Sequence, residues 1–272
     1  MPPDRPRPAP PASHFAAREI SSITGLRADA AYGDASPSEL LRTRAVLPME
    51  AKHVFMCRLD LRAISAARST FAELRAGPTK DTLVLPRRGW SFHIERPPWK
   101  SDIRWVSSAD APSFAFFRNA FAELCVAEIF AHLGPMVLLS GYFVVRRCCR
   151  KSKFHADFTG TGGRAFTLMT PLTADVAALP DCHLLCELPP AEECAAPEVR
   201  QHRYALGEAI VFGDDFVHAT QTGEAPRDLV FLCFTFGHAK MTVAQWRSAE
   251  YYISEQCPIY QNLAGVLQSG RR

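Results

Sequence analysis

His155 and Asp157 stand two residues apart in Lys153-Phe-His-Ala-Asp157, and a further histidine, His218, closes the stretch Gly207-Glu-Ala-Ile-Val-Phe-Gly-Asp-Asp-Phe-Val-His218. In an extended segment residues i and i+2 point the same way, so His155 and Asp157 present an imidazole and a carboxylate together. The second stretch reads as a strand, a tight turn at Gly213-Asp214-Asp215 and a short strand ending in His218. Two imidazoles and one carboxylate on one face of a six-coordinate iron(II) ion leave positions for a chelating keto acid and dioxygen. A saturated or sulfur-rich site would not accept both.

Arg227 follows His218 by nine residues. A turn at Gly223 to Pro226 returns the chain into a strand from Leu229 to Phe236, with Arg227 at its start on the side of Leu229, Phe231, Cys233 and Thr235. A guanidinium there pairs in fork fashion with the far carboxylate of a keto acid. A His-x-Asp pair alone is common and weakly informative. Its combination, in order, with a distal histidine and an arginine is what carries the metal reading. Tyr142, on a neighbouring strand, reads equally as a hydrogen-bond partner of the acid or as a satisfied buried tyrosine.

The elements that must hold these residues fall into three blocks. Residues 1 to about 15 are rich in Pro and Ala and read as disordered. From about 20 to 110 the pattern is mixed, with a short helix at Ser65–Arg75 ending before Gly77-Pro78 and strands at Thr82–Pro86 and Trp90–Glu95, the latter stopped by Pro97-Pro98. A long helix from about Pro112 to His132 is capped by Asp110 or Ser108 and closed by Gly134-Pro135. Strands follow at Met136–Ser140, Tyr142–Cys149, Arg164–Thr170, His183–Leu188, Ala209–Phe212 and Leu229–Phe236, before a helical tail from Thr242 to about Leu267. This order predicts an α+β fold with a double-sheet jelly roll at about 136–237 and flanking helices. It excludes a doubly wound sheet, in which strand and helix alternate throughout.

Composition limits the alternatives. A net charge of +3 over 272 residues, without a basic stripe, gives no reason to invoke nucleic acid. No run of about 18 apolar residues is present, so no membrane span is expected. Nine irregularly spaced cysteines, several inside apolar runs, read as reduced thiols of a cytoplasmic protein. Cys182 and Cys186 flank His183 at a spacing that fits no zinc knuckle. Gly160-Thr-Gly-Gly163 precedes a strand rather than a helix, so it reads as a flexible loop beside the metal and not as a phosphate cradle. Trp90, His93, Trp99 and Trp105 read as aromatic packing against the barrel ahead of a substrate-lining role.

His-Ala-Asp, a distal His and an Arg nine residues beyond it resemble the iron(II)/2-oxoglutarate-dependent oxygenase superfamily over about residues 140–237. The resemblance implies a cupin-like double-stranded β-helix in one oxygenase domain spanning residues 16–272. It also implies Fe(II) held by His155, Asp157 and His218, with 2-oxoglutarate and O2 as co-substrates. Val211-Phe-Gly-Asp-Asp-Phe-Val-His218 is similar to the FDDS…H stretch of the aspartyl/asparaginyl β-hydroxylase branch, which includes cis-proline hydroxylases, although Gly213 and Asp215 depart from it and Phe166 stands where a polar contact is expected. In that branch Arg164, nine residues after His155, would bind a carboxylate; a plain ion pair explains it equally well. The implied activity is hydroxylation of a small molecule such as an amino acid, with release of succinate and CO2. A protein side-chain hydroxylase, a cupin enzyme without 2-oxoglutarate and a non-catalytic metal-binding cupin module are the alternatives.

Overall fold

Two strands of unusual length form the backbone of the fold, β5 (Met136–Cys149) and β11 (Gly223–His238), paired antiparallel along most of their course. The computed structural model describes residues 47–48, 53–75, 89–95, 102–174, 176–188 and 197–271. Around that pair lie β1 (Leu47–Pro48), β2 (Val54–Arg58), β3 (Trp90–Glu95), β4 (Asp102–Ser108), β6 (Ala165–Pro171) and β9 (Glu208–Phe212). Together they make one eight-stranded sheet in the order β1-β2-β9-β6-β11-β5-β4-β3. A second sheet, β10-β7-β8, combines β7 (Leu184–Leu188), β8 (Glu198–His202) and β10 (His218–Thr220). An antiparallel bridge from His155 to His218 adds a further segment beside β10.

Chain alternation gives the large sheet two apolar faces. Met169, Ile210, Phe212, Phe231 and Cys233 point inward and pack with Leu184, Cys186 and Leu188 of the small sheet. Leu168, Val211, Leu232 and Phe234 point the other way, onto α1 (Leu61–Arg75) and α2 (Ala111–Glu123). The result is the double-stranded β-helix expected from the sequence, one sheet facing the other and helices covering the outer face of the larger one.

Several boundaries differ from expectation for local reasons. The expected helix over 112–132 ends at Glu123, because Cys125 takes a left-handed φ of 51° and a short α3 (Val126–Ile129) starts in a new direction. Its start is as anticipated: Asp110 and Ser113 form a reciprocal capping box. The strands expected on either side of Gly141 are one strand; a Cβ on Gly141 would lie 2.3 Å from the Phe117 ring, so α2 can approach there only over glycine. The tail is helical only in α4 (Val243–Gln256), and Pro258 then leads into a hairpin of β12 (Ile259–Gln261) and β13 (Leu267–Ser269). The strands β2, β4 and β8 had no sequence counterpart. The readings at residues 1–15, Gly77-Pro78, Thr82–Pro86, Pro97-Pro98, Trp99, Cys194 and the His93 side chain lie outside the described residues.

Phe143 joins the outer face of the sheet to the helices. Its fully buried ring lies 5.0 Å from Phe71 and 5.2 Å from Phe117, with Trp90 stacked at 6.1 Å. Truncation there leaves a cavity walled by rigid aromatics, so Phe143→Ala is expected to cost about 3–5 kcal/mol. Urea denaturation followed by fluorescence measures it; a loss under about 1 kcal/mol would show that the cluster collapses freely.

Candidate metal centre

Antiparallel pairing sets the distance between the two halves of the site. His155 N–H donates to the His218 carbonyl at 3.0 Å, and His218 N–H returns the bond at 2.9 Å. The side chains of such a directly opposed pair share a face, and the two imidazole centroids are 4.5 Å apart. Asp157 follows by one alternation and reaches the same face. Its Oδ1 lies 3.5 Å from His155 Nε2 and 3.7 Å from His218 Nε2. Among the described residues this is the one group of three potential ligands whose donor atoms converge, all within 4.8 Å.

Each ring is oriented by a backbone carbonyl two residues earlier. His155 Nδ1 donates to the Lys153 carbonyl at 3.0 Å, and His218 Nδ1 to the Phe216 carbonyl at 3.1 Å. A carbonyl only accepts, so both protons sit on Nδ1 and both Nε2 lone pairs face Asp157. Asp157 is fixed in turn by the Thr167 hydroxyl, which donates to Oδ2 at 2.7 Å and leaves Oδ1 toward the imidazoles. Phe212 and Phe216 pack beside the His218 ring, with centroids at 4.5 and 5.6 Å.

Electrostatics follow from unequal burial. His155 is half exposed at its side chain, whereas Asp157 and His218 are at 10% and 6%. Burial alone would raise the Asp157 carboxyl, but the two imidazoles and Thr167 hold it well below the carboxylate range. Burial pushes His218 down to about 4, with His155 adding to the effect and Asp157 opposing it. His155 moves upward, because Asp157 outweighs its own desolvation. The centre is an anionic carboxylate between two nitrogen donors, a donor set suited to a divalent transition metal.

The largest departure from the sequence reading concerns the arginines. Arg227 is exposed. Between the pairs Glu224↔Cys148 and Leu229↔Arg146, four residues of β11 stand opposite one of β5. This bulge, which contains Pro226, cancels the alternation that was to aim Arg227 inward. Arg164 precedes β6 on the parity of Phe166 and Leu168, the helix-covered face, and its charge bears on His238. Tyr142 does point inward, opposite Cys233, with its hydroxyl bonded to Thr235 and burial keeping it protonated.

A different arginine occupies the interior. Arg146, on the parity of Tyr142 and Val144, is 5% exposed and lies over the Phe231 ring at 4.7 Å. Its Nη1 donates to the Tyr204 hydroxyl at 3.1 Å and its Nη2 lies 3.6 Å from Met169 Sδ, while its Nε has no hydrogen-bond partner. Among the described residues no carboxylate is paired with it. The sequence signal was present in the alternation Tyr142, Val144, Arg146, but the adjacent Arg147 offered the opposite parity with equal weight.

The glycine-containing loop is pinned rather than loose. The Thr159 hydroxyl bonds to Tyr252 of α4 at 2.6 Å, and Ser248 donates to the Thr159 carbonyl at 2.7 Å. The Cys182 and Cys186 thiols are buried and, among the described residues, join no ligand cluster; Trp90 packs onto the helix-covered cluster as anticipated, whereas Trp105 packs with the inward one that contains Tyr142 and Val144.

No protein-family model matches the sequence, and no curated protein matches it. Among solved structures, AviO1 from Streptomyces viridochromogenes Tue57 superposes with a TM-score of 0.52 at 15% identity, covering 72% of this chain and 94% of that one. At this identity the likeness is one of fold alone. Lower-scoring matches include the alpha-ketoglutarate-dependent carbocyclase SnoK from nogalamycin biosynthesis (TM-score 0.49, 12% identity, 76% of this chain and 85% of that one). HygX from Streptomyces hygroscopicus, solved with nickel, 2-oxoglutarate and hygromycin B, matches with a TM-score of 0.47 at 14% identity over 73% of this chain and 87% of that one.

Behind Tyr204 the interior holds a further buried base. His202 is 1% exposed, its Nδ1 lacks a partner, and its ring meets Tyr204 edge-on at 5.2 Å. Burial, then the neighbouring His183, push it down to about 3. The unfolded chain takes up this proton near pH 6.5 and the native chain does not, so stability is complete above that pH and lost toward pH 3. His202→Met is expected to flatten the decline between pH 6.5 and 5, by about 1 kcal/mol per pH unit. Urea midpoints across that range test this; parallel declines in the two proteins would rule His202 out as the source.

Proposed function

We propose that the chain is an iron(II)- and 2-oxoglutarate-dependent oxygenase that hydroxylates a C–H bond of a small molecule, with residues 16–272 as one oxygenase domain. The observation that carries this reading is the pairing of two features in one interior. A two-histidine, one-carboxylate face presents its lone pairs at one end, and a buried guanidinium, without a carboxylate among the described residues, stands further along. The donor set fits iron(II), and the orphaned Arg146 Nε fits an incoming carboxylate. With iron bound, 2-oxoglutarate and O2 would supply the oxidant for C–H cleavage, releasing succinate and CO2.

The roles of the protein groups follow from their positions. His155, Asp157 and His218 would hold the metal, their orientation fixed by Lys153, Phe216 and Thr167. Arg146 would receive the far carboxylate of 2-oxoglutarate, in place of Arg227. Thr167 and Met169 are successive inward residues of β6, about 7 Å apart; Thr167 touches Asp157 and Met169 touches Arg146. A five-carbon diacid, with about 5 Å between its carboxyl carbons, is of the length that interval requires. The Tyr204 hydroxyl orients the guanidinium, and the Tyr142 hydroxyl would offer the acid a further donor. Asp157 completes the triad with a carboxylate, which favours hydroxylation over halogenation. Enclosure of Asp157 and His218 between two sheets favours a small substrate, entering on the side of the exposed His155.

Anaerobically purified protein given iron(II), ascorbate, air and 2-oxoglutarate is expected to release succinate. Arg146→Met should lower this by about 30- to 1000-fold and abolish the 2-oxoglutarate-dependent thermal shift, while Arg227→Ala retains both. Loss in Arg227→Ala with retention in Arg146→Met would reverse the assignment, and absence of succinate from the parent protein would remove the oxygenase reading. Asp157→Ala should lose iron-dependent turnover yet still melt cooperatively, because the sheets and not the ligand carry the packing. Insoluble or non-cooperative Asp157→Ala protein would give that carboxylate a structural role.

A further inference from the structure

Two chain segments carry the three proposed ligands, and beyond His155 and His218 they remain joined at two further levels. Asp215 N–H donates to the Phe158 carbonyl at 2.9 Å. One residue earlier, the Asp214 carboxylate receives the donors of the other segment: Thr161 N–H at 3.2 Å and the Thr161 hydroxyl through Oδ1, and Gly163 N–H at 3.0 Å through Oδ2. Asp214 is 7% exposed, Thr161 is fully buried, and these partners of the carboxylate are all neutral. A buried carboxylate whose two oxygens are both taken up by donors of another segment is a directional tie between the two, and its acceptor geometry needs a reason.

The reason lies in β6, the strand beyond the loop. The Thr161 hydroxyl oxygen accepts at 3.2 Å from the N–H of Ala165, the first residue of that strand. Two residues on, Thr167 donates to Asp157. Asp214 thus fixes the start of the strand that orients one ligand, while belonging to the turn that delivers another. That turn has no slack: Asp215 sits at φ 60°, and a Cβ on Gly213 would lie 2.9 Å from the Ala165 carbonyl.

We infer that Asp214 is the positioning residue of the metal centre, setting the separation of the His155–Asp157 segment from His218 and thereby metal affinity and coordination geometry. The inference rests on the metal reading of that triad. An asparagine keeps the shape but offers one acceptor oxygen and turns an N–H2 toward the donors of Thr161 or Gly163.

The test uses cobalt(II) as probe on the full chain, with affinity from titration and geometry from the visible absorption bands. Wild-type protein is expected to bind one cobalt ion, and His155→Ala and His218→Ala to lose it. Cobalt binding that ignores both histidines would overturn the metal reading, and the role of Asp214 with it. Given a histidine-dependent site, Asp214→Asn should bind about 10- to 100-fold more weakly and show shifted bands. Thr161→Val, which removes only the hydroxyl, should move both readouts in the same direction by less. A folded Asp214→Asn protein with wild-type affinity and spectrum, even if less stable to urea, would overturn the positioning role. Should Asp214→Asn not fold, unchanged cobalt binding in Thr161→Val overturns it equally.

Discussion

The reciprocal pair of backbone hydrogen bonds between His155 and His218 is the constraint on which the rest of the site depends. It joins the edge of the small sheet to a segment 63 residues away in sequence, and it does so at the candidate ligands themselves. Side-chain convergence then needs no special fold of either strand. Opposed residues in an antiparallel pair share a face, and alternation brings Asp157 to the same side. Shifting this register by one residue would send both imidazoles to opposite faces and dismantle the centre.

Around this pair the interior divides into an end that holds the His155, Asp157 and His218 triad and an end that holds the Arg146 guanidinium, each with its own supply of polar contacts. At the triad, carbonyls at Lys153 and Phe216 and the hydroxyl of Thr167 use up the atoms that do not face the point where the three side chains converge. At the far end, Tyr204 and Met169 satisfy two of the Arg146 nitrogens only in part, and Phe231 supplies a ring face. Met169 sulfur is a weak acceptor, so the guanidinium keeps most of its capacity for an anion. Nothing in the packing of an apolar interior requires a charge there, since apolar residues of similar volume are commonly as stable or more so.

How legible this was in the sequence depended on whether a residue's position rests on local alternation or on pairing irregularities. His155 and Asp157 were readable because i and i+2 share a face in any strand. His218 was readable because a turn-rich stretch isolates it. The inward face of β5 was half readable: Tyr142 was identified, but the vicinal Arg146 and Arg147 gave no parity without the register to β11. The exposed setting of Arg227 was not readable, because four residues of β11 oppose one of β5, an insertion that composition does not reveal. The break at Cys125 and the strands β2, β4 and β8 were hidden for a related reason. Tertiary burial, not local propensity, selects them, as when β2 pairs with β9 from across the chain.

Arg227 and Arg146 lie at the same irregularity of the β5–β11 pair. In β11 the bulge that ejects Arg227 begins directly after Glu224 and ends at Leu229, the residue opposite Arg146. Leu229 is fully buried and takes the place opposite Arg146 that continuous pairing from Glu224 would have given to Pro226. An interior of this width, filled by Phe231, Tyr204 and Met169, offers one desolvated cation a hydroxyl and a ring face. A second guanidinium facing the first at that end would meet like-charge repulsion at low dielectric. Bulge and buried arginine therefore meet at one place: the irregularity in β11 ends at the residue paired with Arg146, and Arg146 is the cation that this end of the interior holds among the described residues.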